Sequence, residues 1–373
     1  MRTNPIGLYL HIPFCIKKCS YCDFCSYPGL DEQTRKKYIS QLINEICSYK
    51  REEKIAVDTI FFGGGTPSLL EPSEFSLICD AIEETFLVSS DTEFSIEANP
   101  KTITREKLEA FISRGVNRIS IGLQTIHENE RKILGRIHDF EDFNEAFQMA
   151  KECGISNIGV DLMYGIPEQT PESFEQTLLK VISLQPTHIS AYGLILEEET
   201  PLWQQRDNLT FPGEDDECDM YELACSLLRK HGYNHYEISN YAKGGYKSRH
   251  NMKYWDMSEF IGVGASAYSY FEGKRFGNTS DIFEYLSEGF KQYMKEENQL
   301  DDLAFEFVML GLRTSQGISL TEYENFFGQD FRTGRRDKIN NYISLGYMTE
   351  SPDRIALSEK GFYISNTILT DLL

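Results

Sequence analysis

The stretch Ile6-Gly-Leu-Tyr-Leu-His-Ile-Pro-Phe-Cys15-Ile-Lys-Lys-Cys19-Ser-Tyr-Cys22 decides how the rest of the chain is read. Ile6–Ile12 has the near-continuous apolar character of a strand buried on both faces, as in a parallel sheet. Three thiols at C-x3-C-x2-C spacing follow at once, so they sit in the loop at the strand's exit. In parallel α/β architectures that exit is where sites are built.

Working outward, the same kind of strand recurs at Val57–Phe62, Thr92–Glu97, Arg118–Gly122, Asn157–Asp161 and Thr187–Gly193. Amphipathic helical patterns separate them at Asp31–Tyr49, Glu71–Phe86, Thr104–Arg114, Glu141–Glu152 and Pro171–Leu184. This alternation predicts an α/β fold, a partial (β/α)6 TIM-like barrel open on one side. Residues 1–235 are assigned to the barrel and residues 236–300 to a connecting segment. Residues 301–373 form a C-terminal winged-helix-like α+β module, with helices near Leu303–Arg313, Leu320–Phe327 and Arg335–Leu345 and a strand pair Tyr347–Thr349 and Arg354–Leu357. The module is expected to pack on the open side of the barrel and cover the site.

The chain has 373 residues, 40% of them hydrophobic and 13% aromatic, enough for a large core plus an appendage. A formal charge of −21 argues against polyanion binding and against adsorption to an anionic membrane surface. Acidic residues outnumber basic ones in the C-terminal module too, so its outline is not read as a DNA binder and no nucleic-acid partner is expected. No apolar run reaches the ~18–20 residues of a membrane span, and no secretory signal opens the chain. A cytoplasmic location is expected, with membrane contact only through a partner.

Nine cysteines in a reducing compartment point to metal ligation or burial rather than disulfides. Cys15, Cys19 and Cys22 suit a [4Fe–4S] cluster in which three irons are held by protein and the fourth is left open. Zinc would require a fourth ligand, and one contiguous loop, even with Cys25, is an unusual source of it. Cys47, Cys79, Cys153, Cys218 and Cys225 are read as core.

At these residues the chain resembles the radical SAM superfamily, named for S-adenosylmethionine. More narrowly, it resembles the group that joins the anaerobic coproporphyrinogen III oxidases to a heme-chaperone branch. Gly63-Gly-Gly-Thr-Pro-Ser68, Glu97-Ala-Asn-Pro100, Ser120-Ile-Gly-Leu-Gln-Thr125 and Asp161-Leu-Met-Tyr-Gly-Ile-Pro167 match that group in order. The resemblance implies a SAM-bound cluster whose reductive cleavage yields a deoxyadenosyl radical, with a flavodoxin or ferredoxin as a possible reductant. It also implies that Gly64, Gly65 and Thr66 touch SAM and that Tyr9 and Tyr21 flank the cluster and adenine. Glu97, Gln124 and Asp161 line the pocket by the same resemblance, and Arg136 pairs with the SAM carboxylate.

Two branches then compete. The oxidases carry a cysteine two positions after the third ligand, where this chain has Phe24, and an N-terminal extension longer than the residues ahead of Tyr9. The segment His250-Asn251-Met-Lys-Tyr254-Trp255 resembles the HNxxYW motif of the chaperone branch. It makes His250, Asn251, Tyr254 and Trp255 the heme candidates, with His250 as axial ligand or, alternatively, as a packed core residue. His231 and His235 compete without a motif behind them. The expected partners are heme and an acceptor protein.

Overall fold

The computed structural model describes residues 4–290, 293–296 and 300–373. Within them the six expected strands stand side by side in sequence order, all parallel: Ile6–Ile12, Ala56–Gly64, Leu87–Ala98, Arg118–Gln124, Asn157–Tyr164 and His188–Gly193. The third runs five residues earlier than its apolar pattern suggested, because a largely exposed stretch from Leu87 to Asp91, polar in Ser89, Ser90 and Asp91, extends it beyond the core. The helices between them are closed by side-chain caps: Asp31 accepts from the Thr34 amide, and Thr170 and Ser173 cap the Pro171–Ser183 helix reciprocally.

Residues 236–300, read as a connector, instead lengthen the sheet at both edges. Phe260–Val263 pairs parallel with the first strand, and Tyr268–Phe271, Lys274–Gly277 and Tyr293–Glu296 continue outward from it antiparallel. Asn240–Ala242, joined to Asn234–Glu237, closes antiparallel on the sixth strand. Its strands are at most four residues long and the helices among them, Arg249–Trp255 and Ile282–Glu288, have only seven residues each, so the regular strand–helix alternation is lost and the stretch looked like a linker in sequence.

The inward rows of this barrel are polar. Glu97, Ser120, Gly159 and His188 lie level on adjacent strands, and one layer on Gly122, Asp161, Ser190 and Asn240 do the same. A closed barrel fills its interior with Val, Ile and Leu. Here the aliphatic residues of the same strands face the outer helices, where Ile96, Ile119, Ile121, Val160 and Ile189 are buried. The barrel interior is a site rather than a core.

The C-terminal module has helices Leu300–Gly311, Leu320–Phe327 and Arg336–Ser344 and a three-stranded sheet of Ile318–Ser319, Arg354–Leu357 and Met348–Glu350. It lines no part of the cavity, but it packs on the open side of the barrel as expected, tied to both edges of the sheet. At one edge Tyr221 Oη donates to Glu359 O at 2.9 Å, Arg229 pairs with Glu359 at 2.7 Å, and Ser315 N donates to Tyr236 O at 3.0 Å; at the other Arg275 pairs with Glu306 at 2.7 Å. The apolar face of the Glu214–Lys230 helix, through Tyr221, determines this placement.

Among the scattered cysteines, Cys79 and Cys225 are buried, Cys153 and Cys218 are half-buried, and Cys47 is exposed. Cys47 lies one step off the buried stripe that ends at Ile46. On the same helix Glu45 is sealed in, accepting from Gly264 N (2.8 Å), Tyr285 Oη (2.7 Å) and Asn278 Nδ2 (2.7 Å). Burial pushes its carboxyl up to about 7 despite these donors. The folded state therefore holds a proton that the unfolded state has released between pH ~4.5 and 7, so stability falls as pH rises through that window. Glu45→Gln is expected to remove a loss of about 3 kcal/mol between pH 5 and 8. Urea midpoints of both proteins at several pH values check this, and parallel pH profiles would refute it.

Candidate metal centre and cofactor cavity

The cysteine loop is tied down on three sides. Phe14–Cys15 pairs with Tyr27–Pro28, Ser20 N donates to Leu134 O (3.0 Å), Ser20 Oγ to Ile133 O (2.6 Å), and Leu202 N to Ser20 O (2.8 Å). Cys15, Cys19 and Cys22 all line one cavity of about 560 Å³, within the usual size of a small-molecule site. Burial raises the Cys15 and Cys22 thiols, with Lys18 acting in the opposite sense. Cys25 does not join them. Its Sγ donates to Ser280 O at 3.2 Å and its thiol is pushed up to about 11 by burial. Among the described residues no three His, Cys, Asp or Glu side chains close around a single metal ion. Three thiols spread along one loop fit corners of a polynuclear cluster.

The glycine loop supplies the adjoining wall. Gly64 has φ 110°, a left-handed conformation that side chains avoid, and a Cβ there would lie 2.6 Å from the His11 ring. A Cβ on Gly65 would lie 2.7 Å from Phe14 O and 3.1 Å from Cys15 Sγ. Thr66 Oγ1 stands 3.5 Å from Cys15 Sγ. Gly65→Ala is therefore expected to displace Cys15 and lower the iron content after reconstitution severalfold while far-UV circular dichroism stays unchanged. Full iron loading of that variant would count against the cradle.

Glu97 and Asp161 face each other across the cavity. Burial and then the Asp161 charge push the Glu97 carboxyl up to about 7, opposed by the Gly64 amide, which donates to Glu97 Oε2 at 3.1 Å. Ser120 Oγ donates to Asp161 at 3.1 Å. Gln124 takes a left-handed φ of 68°, its Nε2 donates to Tyr192 Oη at 3.3 Å, and its buried Oε1 is unpaired. A strained non-glycine backbone beside an unsatisfied amide marks a functional position.

Two expected residues stand differently from their sequence-level roles. Arg136 lines the cavity, but its Nη2 donates to Gly122 O at 2.6 Å and its Nη1 faces Cys19 Sγ at 3.6 Å, so much of its fork is spent within the protein. Tyr21 lines the cavity, whereas Tyr9 turns its hydroxyl to His11 Nδ1 (3.1 Å) and stacks on Phe61.

The HNxxYW segment is a helix, Arg249–Trp255, pinned by the Glu93 carboxylate, which accepts from the Arg249 and His250 amides at 3.0 Å each. His250 is fully buried, with Nδ1 2.8 Å from Thr59 Oγ1 and Nε2 2.8 Å from Tyr254 Oη. Burial holds its pKa down to about 3. With both ring nitrogens committed, His250 offers nothing to an iron atom in this conformation, which is the packed-core alternative. Asn251 alone of the four motif residues lines the cavity. His235 stacks on Tyr241 at 4.2 Å inside the edge packing, and His231 is exposed at the end of its helix.

Sequence reasoning missed Arg118, Ser120, Ser190, Tyr192 and Asn240, all of which line the cavity. The signal was present for the first two: Arg118, Ser120, Gly122 and Gln124 alternate with Ile and Leu, so one face of a core strand is polar.

The site tests as a receptor for an iron–sulfur cluster carrying SAM. It has soft thiolates in threes, a glycine cradle against them, acidic groups suited to an ammonium and ribose hydroxyls, and orphan polar atoms at Gln124 and Arg136. A parallel α/β barrel with such a loop at its first strand exit defines the radical SAM class, and residues 9–181 match the Radical SAM superfamily model. Residues 298–364 match the HemN C-terminal domain. The chain is 34% identical to the heme chaperone HemW of Lactococcus lactis, over 100% of this chain and 98% of the relative. It is 34% identical to HemW of Escherichia coli (99% and 98%) and 33% identical to the mouse mitochondrial radical S-adenosyl methionine domain-containing protein 1 (98% and 87%). The chain belongs to the HemW family. The solved structure of coproporphyrinogen III oxidase (HemN) from Escherichia coli superposes with a TM-score of 0.85 over 99% of this chain and 90% of that one, at 23% identity. That likeness speaks to the fold.

Proposed function

We propose that this protein is a heme chaperone: it binds heme, carries a SAM-coordinated [4Fe–4S] cluster on Cys15, Cys19 and Cys22, and passes heme to an acceptor protein. The observation that carries the reading is end-to-end similarity to relatives named as heme chaperones, over 98% or more of both chains for the Lactococcus and Escherichia proteins.

When bound, the cluster and SAM supply one-electron chemistry at a sulfonium centre. The chain's own residues do the rest. The three thiols hold iron, Gly64, Gly65 and Thr66 keep the wall beside them thin, and Glu97 and Asp161 offer acceptors to SAM's ammonium and hydroxyls. Arg136 braces Cys19. Tyr21 and Tyr192 shape the cavity wall, while Tyr9 supports the loop from behind through His11. At the mouth, Phe24 (69% exposed) and Ile195 (73% exposed) present apolar surface to a flat ligand, beside Lys17 and Lys18. That surface, with Asn251 deeper in, is the heme-receiving rim; His250 and Tyr254 hold the helix that positions Asn251. The exposed lysines suit approach of an acidic flavodoxin- or ferredoxin-type reductant. Among the described residues no helix is long and apolar enough to cross a membrane. Any membrane contact runs through the acceptor, and the site of action is the cytoplasm.

Hemin titration of the anaerobically reconstituted protein tests the reading. A saturable Soret shift and transfer of the heme to an apo-hemoprotein are expected. Absence of both, or formation of protoporphyrinogen from coproporphyrinogen III with SAM and a reductant, would replace it with an oxidase.

A further inference from the structure

Arg118 is a buried cation without a counterion. It is 2% exposed, its Nε has no hydrogen-bond partner, and it lines the cavity floor. Among the described residues no carboxylate stands within ion-pair distance of its guanidinium. Buried arginines are ordinarily paired, because an isolated charge in a low-dielectric interior is costly.

Its surroundings are polar, and across the cavity its charge acts on the Glu97 carboxyl, opposing the effect of burial there. A Cβ built on Gly159 would lie 3.0 Å from Ser120 Oγ, 3.4 Å from His188 Nδ1 and 3.6 Å from Arg118 Nη2, so three polar groups converge over that glycine. His188 Nδ1 is also buried without a partner. Its tautomer follows from its neighbours. Tyr236 Oη accepts the Ser248 amide at 3.2 Å, which directs the phenol's own proton to His188 Nε2 at 2.8 Å. Nε2 is then the acceptor and Nδ1 carries the hydrogen. Ser120 Oγ has already given its proton to Asp161. The cavity floor thus presents the Arg118 guanidinium as a donor whose Nε has no partner, with the unpartnered His188 N–H in the packing behind it, and an acceptor arriving from the cavity can pair with the guanidinium.

We infer that Arg118, with Ser120 and His188 packed around it, forms an anion subsite on the barrel floor that takes a carboxylate of the bound ligand. The inference rests on the function proposed above. A planar singly charged group matches the guanidinium fork. A doubly charged phosphate would meet Glu97 and Asp161 in the same cavity and be repelled. Arg136, the other cavity arginine, has spent Nη2 on Gly122 O, which leaves Arg118 as the less committed cation. Carboxylates reach this cavity from two sources, the methionyl end of SAM and a heme propionate.

The test uses the full chain with its cluster reconstituted, in wild-type, Arg118→Gln and Arg118→Lys forms. Dissociation constants are measured for SAM, SAM carboxamide, hemin and hemin dimethyl ester. The Gln variant is expected to weaken one carboxylate ligand by about 10- to 100-fold, the range for one charge-assisted contact. It should leave that ligand's neutralised analogue at wild-type affinity. Loss confined to SAM assigns the methionyl carboxylate; loss confined to hemin assigns the propionate. The Lys variant keeps the buried charge but loses the fork, and stands in if the Gln variant does not fold. Unchanged affinity for both SAM and hemin in a folded variant overturns the subsite. A wild-type protein that binds no hemin sinks the chaperone reading alone, and the SAM pair still decides Arg118.

Discussion

Alanine at Cys15, Cys19 and Cys22 together is expected to eliminate the iron and acid-labile sulfide of the reconstituted protein and, with them, measurable SAM binding. The three thiols share one cavity, and the described structure offers no substitute: Cys25, the nearest other thiol, is turned to Ser280 O. With all three thiolates gone a cubane has no protein ligand to hold it and is lost to solvent or chelators. Cys25→Ala is the matched control and should retain full iron content, because its thiol packs rather than ligates. The loop itself should survive the triple change, since its anchors at Ser20 are independent of the sulfurs. Iron, sulfide and isothermal SAM titration of both variants check this. Undiminished iron in the triple variant would remove the cluster assignment, and iron lost on Cys25→Ala would place a fourth thiol in the site.

His250→Ala is expected to act on stability first. Its ring is fully buried between Thr59 and Tyr254 and packs 5.2 Å from Phe61. Removing it opens a cavity and leaves two hydroxyls without partners. Each effect is worth a few kcal/mol, so a loss of about 3–5 kcal/mol follows. For a chain of this size that lowers the melting midpoint by roughly 4–6 °C. Because burial holds the ring neutral down to about pH 3, the wild-type contribution also fades as pH falls from ~6.5, where the unfolded histidine takes up a proton, toward 3. His250→Asn, which restores one donor and one acceptor in less volume, should recover part of the loss. Any heme-binding defect should track unfolding. A variant that keeps its midpoint but no longer shifts the Soret band would return His250 to the iron.

How much of this was legible beforehand differs by element. The thiol triplet at a strand exit, the six parallel strands and the glycine and acidic rim positions follow from spacing along one chain segment, where neighbours in sequence are neighbours in space. Local physics suffices there: period-2 burial makes the strands, and strand exits gather the loops. Cys47 escaped because the edge of a helical stripe is one residue wide.

The remainder depends on what faces what across the sheet, and that is not written in any single segment. His250 and Asn251 are adjacent in sequence, yet helix docking on the second strand turns one into the core against Thr59 and the other to the cavity. Arg118 reads as one polar residue in an apolar strand until Gly159 and His188 are brought level with its neighbour Ser120. The C-terminal module has the outline and the open-side packing expected of it, but its anchors, Arg275 at one edge and Tyr221 and Arg229 at the other, come from segments distant in sequence. The sequence by itself determined the order of the strands and the gathering of three thiols at one strand exit, because these are set by covalent neighbours and by periodicity, and its ordered motifs carried the resemblance to the class of protein. Tertiary structure alone decided which polar groups are satisfied and which still await a ligand, because hydrogen-bond partners and burial come from segments far apart along the chain.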